Sequence, residues 1–111
     1  MQNHLIDYED AHALKSRLDW GQPSLTILDV RDRFTFNHGH IMGAIPMPLE
    51  DLTTRAKTCL HQNREIVVYG ENDAQAAQAV SLLRGQGFNH VSELKGGLSA
   101  WKAIGGAVEG M

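Results

Sequence analysis

An α/β domain with a mainly parallel central sheet, flanked by helices on both faces, is the fold class this sequence predicts. Three observations lead there. The short apolar runs "LTILDV", "EIVVY" and "HVSEL" are rich in β-branched residues and lack a helical period, so they read as interior strands. Between them lie segments of about ten residues with apolar positions three and four apart, which makes the connections helical crossovers and the strands parallel. Glycine and proline punctuate the junctions.

The elements follow in order. Asp7 is placed to cap a first helix whose apolar face is Tyr8, Ala11, Leu14 and Leu18, with Gly21 and Pro23 ending it. The first interior strand covers Leu25 to Val30. An irregular stretch, "RDRFTFNHGHIMGAIPMP", is broken by Gly39, Gly43, Pro46 and Pro48 and holds a short strand at Ala44 to Ile45. Pro48 suits the start of a second helix with the face Leu49, Leu52, Ala56, Cys59 and Leu60. The strand Glu65 to Tyr69 comes next. A third helix, from about Ala74 to Gln86, buries Ala76, Ala79, Val80 and Leu83, and Gly85 or Gly87 closes it. The last interior strand is "HVSEL"; Gly96 and Gly97 then turn the chain into a short helix around Leu98 to Ile104.

The chain has 111 residues, which predicts one domain over residues 1–111 with one core. Its apolar fraction of 42% and charged fraction of 21% exclude a disordered class. No apolar run is long enough to cross a membrane, and "MQNHLIDYED" lacks the layout of a signal peptide, so the expected location is the cytoplasm. A net charge of −3 with scattered Lys and Arg gives no footprint for nucleic acid or an anionic membrane. The single cysteine, Cys59, excludes an internal disulfide. Nothing in the pattern asks for a cofactor.

The stretch "LDVRDRFTFNHGHIMGAIPMP", through Asp29-Val30-Arg31, Gly39-His40-Ile41, Gly43-Ala44 and the proline that follows, is similar to the first signature of the rhodanese-like domain family. "GFNHVSELKGGLSAWKAIGGAV" is similar to its closing signature, through Gly87-Phe88, Val91, Leu94, Gly96-Gly97 and Trp101. The resemblance covers about the whole chain. It implies sulfur transfer for those members that carry a cysteine after the strand, at the head of a loop Cys-x-x-Gly-x-Arg that leads straight into a helix.

Counting back from Gly87-Phe88 puts the cysteine position on Gly70, the loop glycine on Asp73 and the arginine on Gln75. The loop is retained, Gly70, Glu71, Asn72, Asp73, Ala74 and Gln75, but its reactive residues are not. A thiolate that accepts sulfur needs a lowered pKa, which a ring of backbone N–H groups at a helix N-terminus provides. An arginine there would hold an anionic donor through paired hydrogen bonds. Gly70 has no side chain and Gln75 no charge. Glu71 and Asp73 bring negative charge to the place of the anionic donor. Asn72 or Asp73 suits the helix N-cap, and with Asn72 as cap Gln75 completes a variant of the capping box. The loop's own side chains are therefore expected to occupy the cradle.

Other residues have sharp and bland readings. Cys59 falls on the apolar face of the second helix and reads as a small inert hydrophobe, with a displaced nucleophile as the alternative. His38 and His40 have a metal-like spacing, but the remaining four histidines are scattered, so no metal site is expected and His40 reads as structural. Glu71 with Asp73 reads as capping and solvation in preference to acid–base work or calcium. Asp29 and Arg31 read as a structural pair at a strand end, and Trp101 as core. Gly96-Gly97 reads as a turn needing positive φ, not a phosphate loop. Gly70 has a bland reading too, a sharp bend at the strand end.

The expected role is a catalytically inactive binding or regulatory module. Its partner, a protein or a small ligand, is expected at the loop Gly70 to Gln75. Two alternatives stand beside it: a sulfurtransferase using Cys59 or a partner's thiol, and a dimerising or tethering unit.

Overall fold

The computed structural model describes residues 8–21 and 25–110. Five strands form a parallel sheet: β1 (Tyr8–Glu9), β2 (Leu25–Asp29), β4 (Ile45–Pro46), β5 (Glu65–Tyr69) and β6 (Val91–Leu94), in the order β1-β6-β5-β2-β4. A small antiparallel pair, β3 (His40–Ile41) with β7 (Val108–Glu109), lies apart from it. The helices are α1 (Ala11–Asp19), α2 (Arg33–Asn37), α3 (Leu52–Cys59), α4 (Asp73–Gly85) and α5 (Gly97–Ala103).

The alternation of side chains along each strand sorts the core into two layers. Leu28, Ile66, Val68 and Val91 meet Leu52 and Ala56 of α3 and Ala79, Val80 and Leu83 of α4 on one face. Ile27, Val67, Tyr69 and Leu94 meet Ala11 and Leu14 of α1 and Trp101 of α5 on the other. The predicted class, a parallel sheet with helices on both faces, is the one observed.

Helix ends explain where the elements stop. Phe88 N–H donates to Leu83 O (3.1 Å) and Gly87 N–H to Arg84 O (3.0 Å), the paired bonds of a Schellman cap. Gly87 takes φ 99°, which a β-carbon would strain, and Phe88 packs in the same layer as Leu83. Gly85, the other candidate, is the last helical residue. Trp101, buried as expected, donates from its indole to Ala107 O (2.9 Å). Its ring lies so close over Gly106 that a β-carbon there would sit 2.2 Å from a ring carbon.

Several boundaries differ from the sequence expectation. The cap of α1 is Asp10, whose Oδ1 accepts from His12 N–H (2.8 Å) and Ala13 N–H (3.3 Å). Tyr8 belongs to edge strand β1, paired with Glu93, and not to the helical face. Asp7 and Pro23 lie outside the described residues. Pro48 precedes a single 3-10 turn, Leu49–Asp51, before α3 proper begins. The short strand is Ile45–Pro46, one residue later than expected, because β2 pairs Leu28 with Ile45 and Asp29 with Pro46.

Helix α2 was not predicted. It has only five residues, with aromatic and β-branched members of weak helical propensity. Its signal is the cap: Asp32 Oδ1 accepts from Thr35 N–H (2.8 Å), and Oδ2 accepts from Thr35 Oγ1 (3.1 Å). These bonds hold the Asp32 carboxyl below its ordinary pKa.

Candidate functional site

The C-terminal ends of β2, β5 and β6 converge on an open cleft of about 380 Å³. Residues 70–73 form one wall, Gly96, Gly97, Ser99 and Lys102 another, and Arg31 contributes from the end of β2. Ligands of parallel α/β sheets bind at this edge.

The loop after β5 leads into α4 at once. Asn72 is the N-cap in extended backbone, φ −154° and ψ 173°, and its Oδ1 accepts from Gln75 N–H at 2.8 Å. Gln75 then folds its side chain back: Oε1 accepts from Glu71 N–H at 2.7 Å. An ordinary capping box would bond the cap's own N–H, so the predicted variant is present with its second bond one residue earlier. The returning carboxamide lies over Gly70, where an added β-carbon would stand 2.6 Å from Oε1. Gly70 is buried and is not among the glycines with positive φ; the chain bends directly after it, as its bland reading expected, and the Gln75 side chain fills the space beside it.

Asp73 departs from the expectation of a merely solvated acid. Its Oδ1 accepts from Gly96 N–H at 3.0 Å, tying the start of α4 to the turn before α5. Gly96 and Gly97 adopt φ 79° and 54°, the left-handed turn that was expected of them. A β-carbon at Gly97 would meet Gly70 O at 3.6 Å, an ordinary contact, so the positive φ and not the approach is what favours glycine there.

Beneath the loop lies a buried ion pair. Asp29 and Arg31 are 0% and 7% exposed. Asp29 Oδ1 accepts from Arg31 N–H (2.9 Å) and Nε (3.0 Å), Oδ2 accepts from Nη2 (2.7 Å), and Nη2 also donates to Gly39 O (2.7 Å). The guanidinium carbon stands 5.4 Å from the centre of the Tyr69 ring. Burial opposes the charge on Arg31, yet the hydrogen bond and charge of Asp29 outweigh it and raise its pKa, with Glu71 adding in the same direction. Burial first, then the hydrogen bond and charge of Asp29, push the Tyr69 phenol far above its ordinary range, so it stays neutral. Tyr69 Oη accepts from Ile41 N–H (3.0 Å), which anchors β3 below the cleft. The sequence reading of Asp29 and Arg31 as a pair at a strand end holds. Its contribution to the cleft wall, and those of Ser99 and Lys102, were missed; the glycine pair before α5 was the available signal.

Two expectations concern residues away from the cleft. Cys59 is exposed, not packed on the apolar face of α3. It is the last residue of that helix, and the chain turns extended at Leu60, which swings inward in its place. Cys59 shares a surface recess with Thr26, His61 and Arg64, at the opposite end of β5. A five-residue strand puts that recess roughly 15 Å from the loop. His38 and His40 bond the carbonyls of Phe34 (2.8 Å) and Phe36 (2.7 Å), and His40 stacks on Phe36 with ring centres 3.6 Å apart. Among the described residues, no three His, Cys, Asp or Glu side chains converge as a ligand set. No described helix is long and apolar enough to cross a membrane.

The family model of the rhodanese-like domain matches residues 10–104, from the cap of α1 to the end of α5. The chain belongs to the rhodanese-like family. A crystal structure of the Alr3790 protein from Anabaena sp. superposes on this rhodanese-like domain with a TM-score of 0.90 and 66% identity, covering 93% of this chain and 80% of that one. The thiosulfate sulfurtransferase GlpE of Shewanella oneidensis is 37% identical over 78 residues, 70% of this chain and 76% of that protein. A protein named sulfurtransferase from Allochromatium vinosum is 28% identical over 101 residues, 91% and 92% of the two chains. The domain spans 64% and 47% of the length of two curated relatives from Bacillus subtilis that it matches.

Proposed function

We propose that this rhodanese-like domain has lost sulfur transfer at its strand-end loop and acts as a binding or regulatory module. Residues Gly70 to Gln75 form part of the surface that meets a protein partner or a small ligand. One observation carries the reading. The side-chain space at the loop head is filled by Gln75, whose Oε1 lies 2.6 Å from where a β-carbon on Gly70 would be. In the register that the two signatures imply, Gly70 stands where active relatives carry their cysteine. The 2.7 Å bond from Glu71 N–H to Gln75 Oε1 then uses a donor that would otherwise face a persulfide or an oxyanion.

A second reading has an observation of its own. Cys59 is an exposed thiol, and several relatives are named sulfurtransferases, so sulfur could move through Cys59 or through a thiol that a partner brings. Cys59 is not near the loop amides, and Thr58 Oγ1 stands 3.8 Å from its sulfur.

Thiosulfate:cyanide sulfur transfer separates the two. The native chain is expected to run at the background rate. Gly70→Cys combined with Asp73→Gly and Gln75→Arg is expected to exceed it. Native turnover that scales with protein concentration and disappears in Cys59→Ser would establish the second reading in place of the first.

A further inference from the structure

His40 is a buried imidazole, 8% exposed, with an oxygen at each of its ring nitrogens. Its Nδ1 lies 2.7 Å from Phe36 O, and a carbonyl oxygen can only accept, so Nδ1 carries a proton. Its Nε2 lies 3.3 Å from Glu109 Oε1. The same oxygen accepts from Gly43 N–H at 3.1 Å. That bond first, and after it the bond and charge of His40, outweigh desolvation and hold the Glu109 carboxyl below its ordinary pKa. At neutral pH Glu109 is therefore a carboxylate, which can only accept. An imidazole between two acceptors satisfies both only when it carries both protons. Taking the proton from Nε2 leaves a lone pair opposite the carboxylate.

The bonds around this pair do not titrate in the same range. Strand β3 is fixed from the main sheet, where Tyr69 Oη accepts from Ile41 N–H and Arg31 Nη2 donates to Gly39 O. Tyr69 stays neutral and Arg31 stays charged. Ala107 is fixed as well: its carbonyl accepts from Met42 N–H (3.0 Å) and from the Trp101 indole (2.9 Å). Beyond Ala107 the chain relies on a ladder of two residues a side and on the Glu109 carboxylate. Gly110 then closes over the imidazole, where a β-carbon would stand 2.7 Å from His40 Cε1. Of the charged groups on the packed elements, β7 brings Glu109 to the ring. From α2, Arg33 approaches the Phe36 ring on which His40 stacks, and His38 is turned to Phe34 O. From α5, Lys102 borders the cleft instead.

We propose that His40 and Glu109 form a pH-dependent clasp. It holds residues 108–110 on β3 while the imidazole carries both protons, and it releases them, from Ala107 onward, as pH rises through the titration of the ring. The release uncovers the His40–Phe36 stack and leaves β3 in place.

The test is 15N relaxation of the labelled chain at about pH 5.5 and about pH 8, with the His40 ring signals followed between them. Order parameters at the Val108 and Glu109 amides are expected to fall from about 0.85 towards about 0.6 as the ring loses its proton. Those of Met42 and Ala107 should stay as they are. Glu109→Gln keeps an acceptor for Gly43, and its carboxamide, which both donates and accepts, suits either form of the ring. In that variant the order at Val108 should be the same at both pH values. The Glu109 side chain is 45% exposed, so the core amide pattern serves as the check that the variant is folded. Unchanged order at Val108 and Glu109 across the titration of the ring, or the same response in Glu109→Gln, would overturn the proposal. So would a loss of order that reaches Met42 and Ala107, because the response would then belong to the whole fold.

Discussion

Replacing Gly70 by alanine puts a methyl carbon 2.6 Å from Gln75 Oε1, and the carboxamide has to leave. Its departure breaks the 2.7 Å bond from Glu71 N–H, a loss of about 0.5–1.5 kcal/mol. Glu71 is exposed, so water replaces the acceptor and the lower half of that range applies. Moving Gln75 Cβ, only 3.2 Å from the new methyl, adds about 0.5–1.5 kcal/mol of side-chain strain. Against this, a glycine without positive φ gains about 0.4–1 kcal/mol as alanine through the unfolded chain. The net expectation is a loss of about 1 kcal/mol for Gly70→Ala, with a similar loss for Gln75→Ala. In the double variant the bond is lost once and the clash with the carboxamide is gone, and only the 3.2 Å contact with the β-carbon of residue 75 remains. The pair should therefore cost about 1 kcal/mol less than the sum of the singles. Urea unfolding at constant m-value reads all four proteins. Additivity within about 0.5 kcal/mol would show that the carboxamide does not lie over Gly70, and the account of a filled loop head would go with it.

The remaining predictions concern the supports of the site. Asp29→Asn leaves the Arg31 charge buried without its carboxylate and should cost about 3–5 kcal/mol in the same unfolding assay, far more than any exposed acid. Acid should destabilise the fold through Asp32 and Glu109. Thr35 bonds first of all lower the Asp32 pKa, and the Gly43 N–H lowers that of Glu109, so their stabilisation is present above the unfolded values near pH 4 and lost as pH falls through the folded ones. Glu109→Gln should accordingly differ from the native protein at pH 7 and converge on it in acid; a constant difference would contradict the linkage. Cys59 should react with a thiol reagent in the folded state, and Cys59→Ser should shift stability by no more than about 0.5 kcal/mol, whereas slow labelling that follows global unfolding would mean a buried sulfur.

The interior strands and α4 were legible in the sequence because their patterns are long and locally consistent. Ile66, Val67, Val68 and Tyr69 are buried on both sides of a parallel sheet, and Ala76, Ala79, Val80 and Leu83 repeat one helical face. The loop's cap was legible for the same reason: Asn72 and Gln75 are three positions apart and interact locally. What could not be read depends on partners distant in the chain. Asp73 finds Gly96, Tyr69 finds Ile41, and Tyr8 pairs with Glu93, none of which leaves a periodic trace. Cys59 shows the limit of periodicity at an element's end. It is in phase with Leu52 and Ala56, but the helix stops there and Leu60 takes the inward place. Arg31 was recognised as one half of a pair, while its bond to Gly39 O follows from geometry that spacing does not encode.

The pairing of Tyr8 and Glu9 with Glu93 and Leu94 joins two segments far apart in the chain along one sheet edge. During synthesis, therefore, β2 and β5 can associate while the outermost strand waits for residues still inside the ribosome. Until they emerge, the flank of β5 that β6 will cover has no neighbour, and a nascent chain stalled near residue 90 would offer an incomplete sheet to chaperones or to other chains.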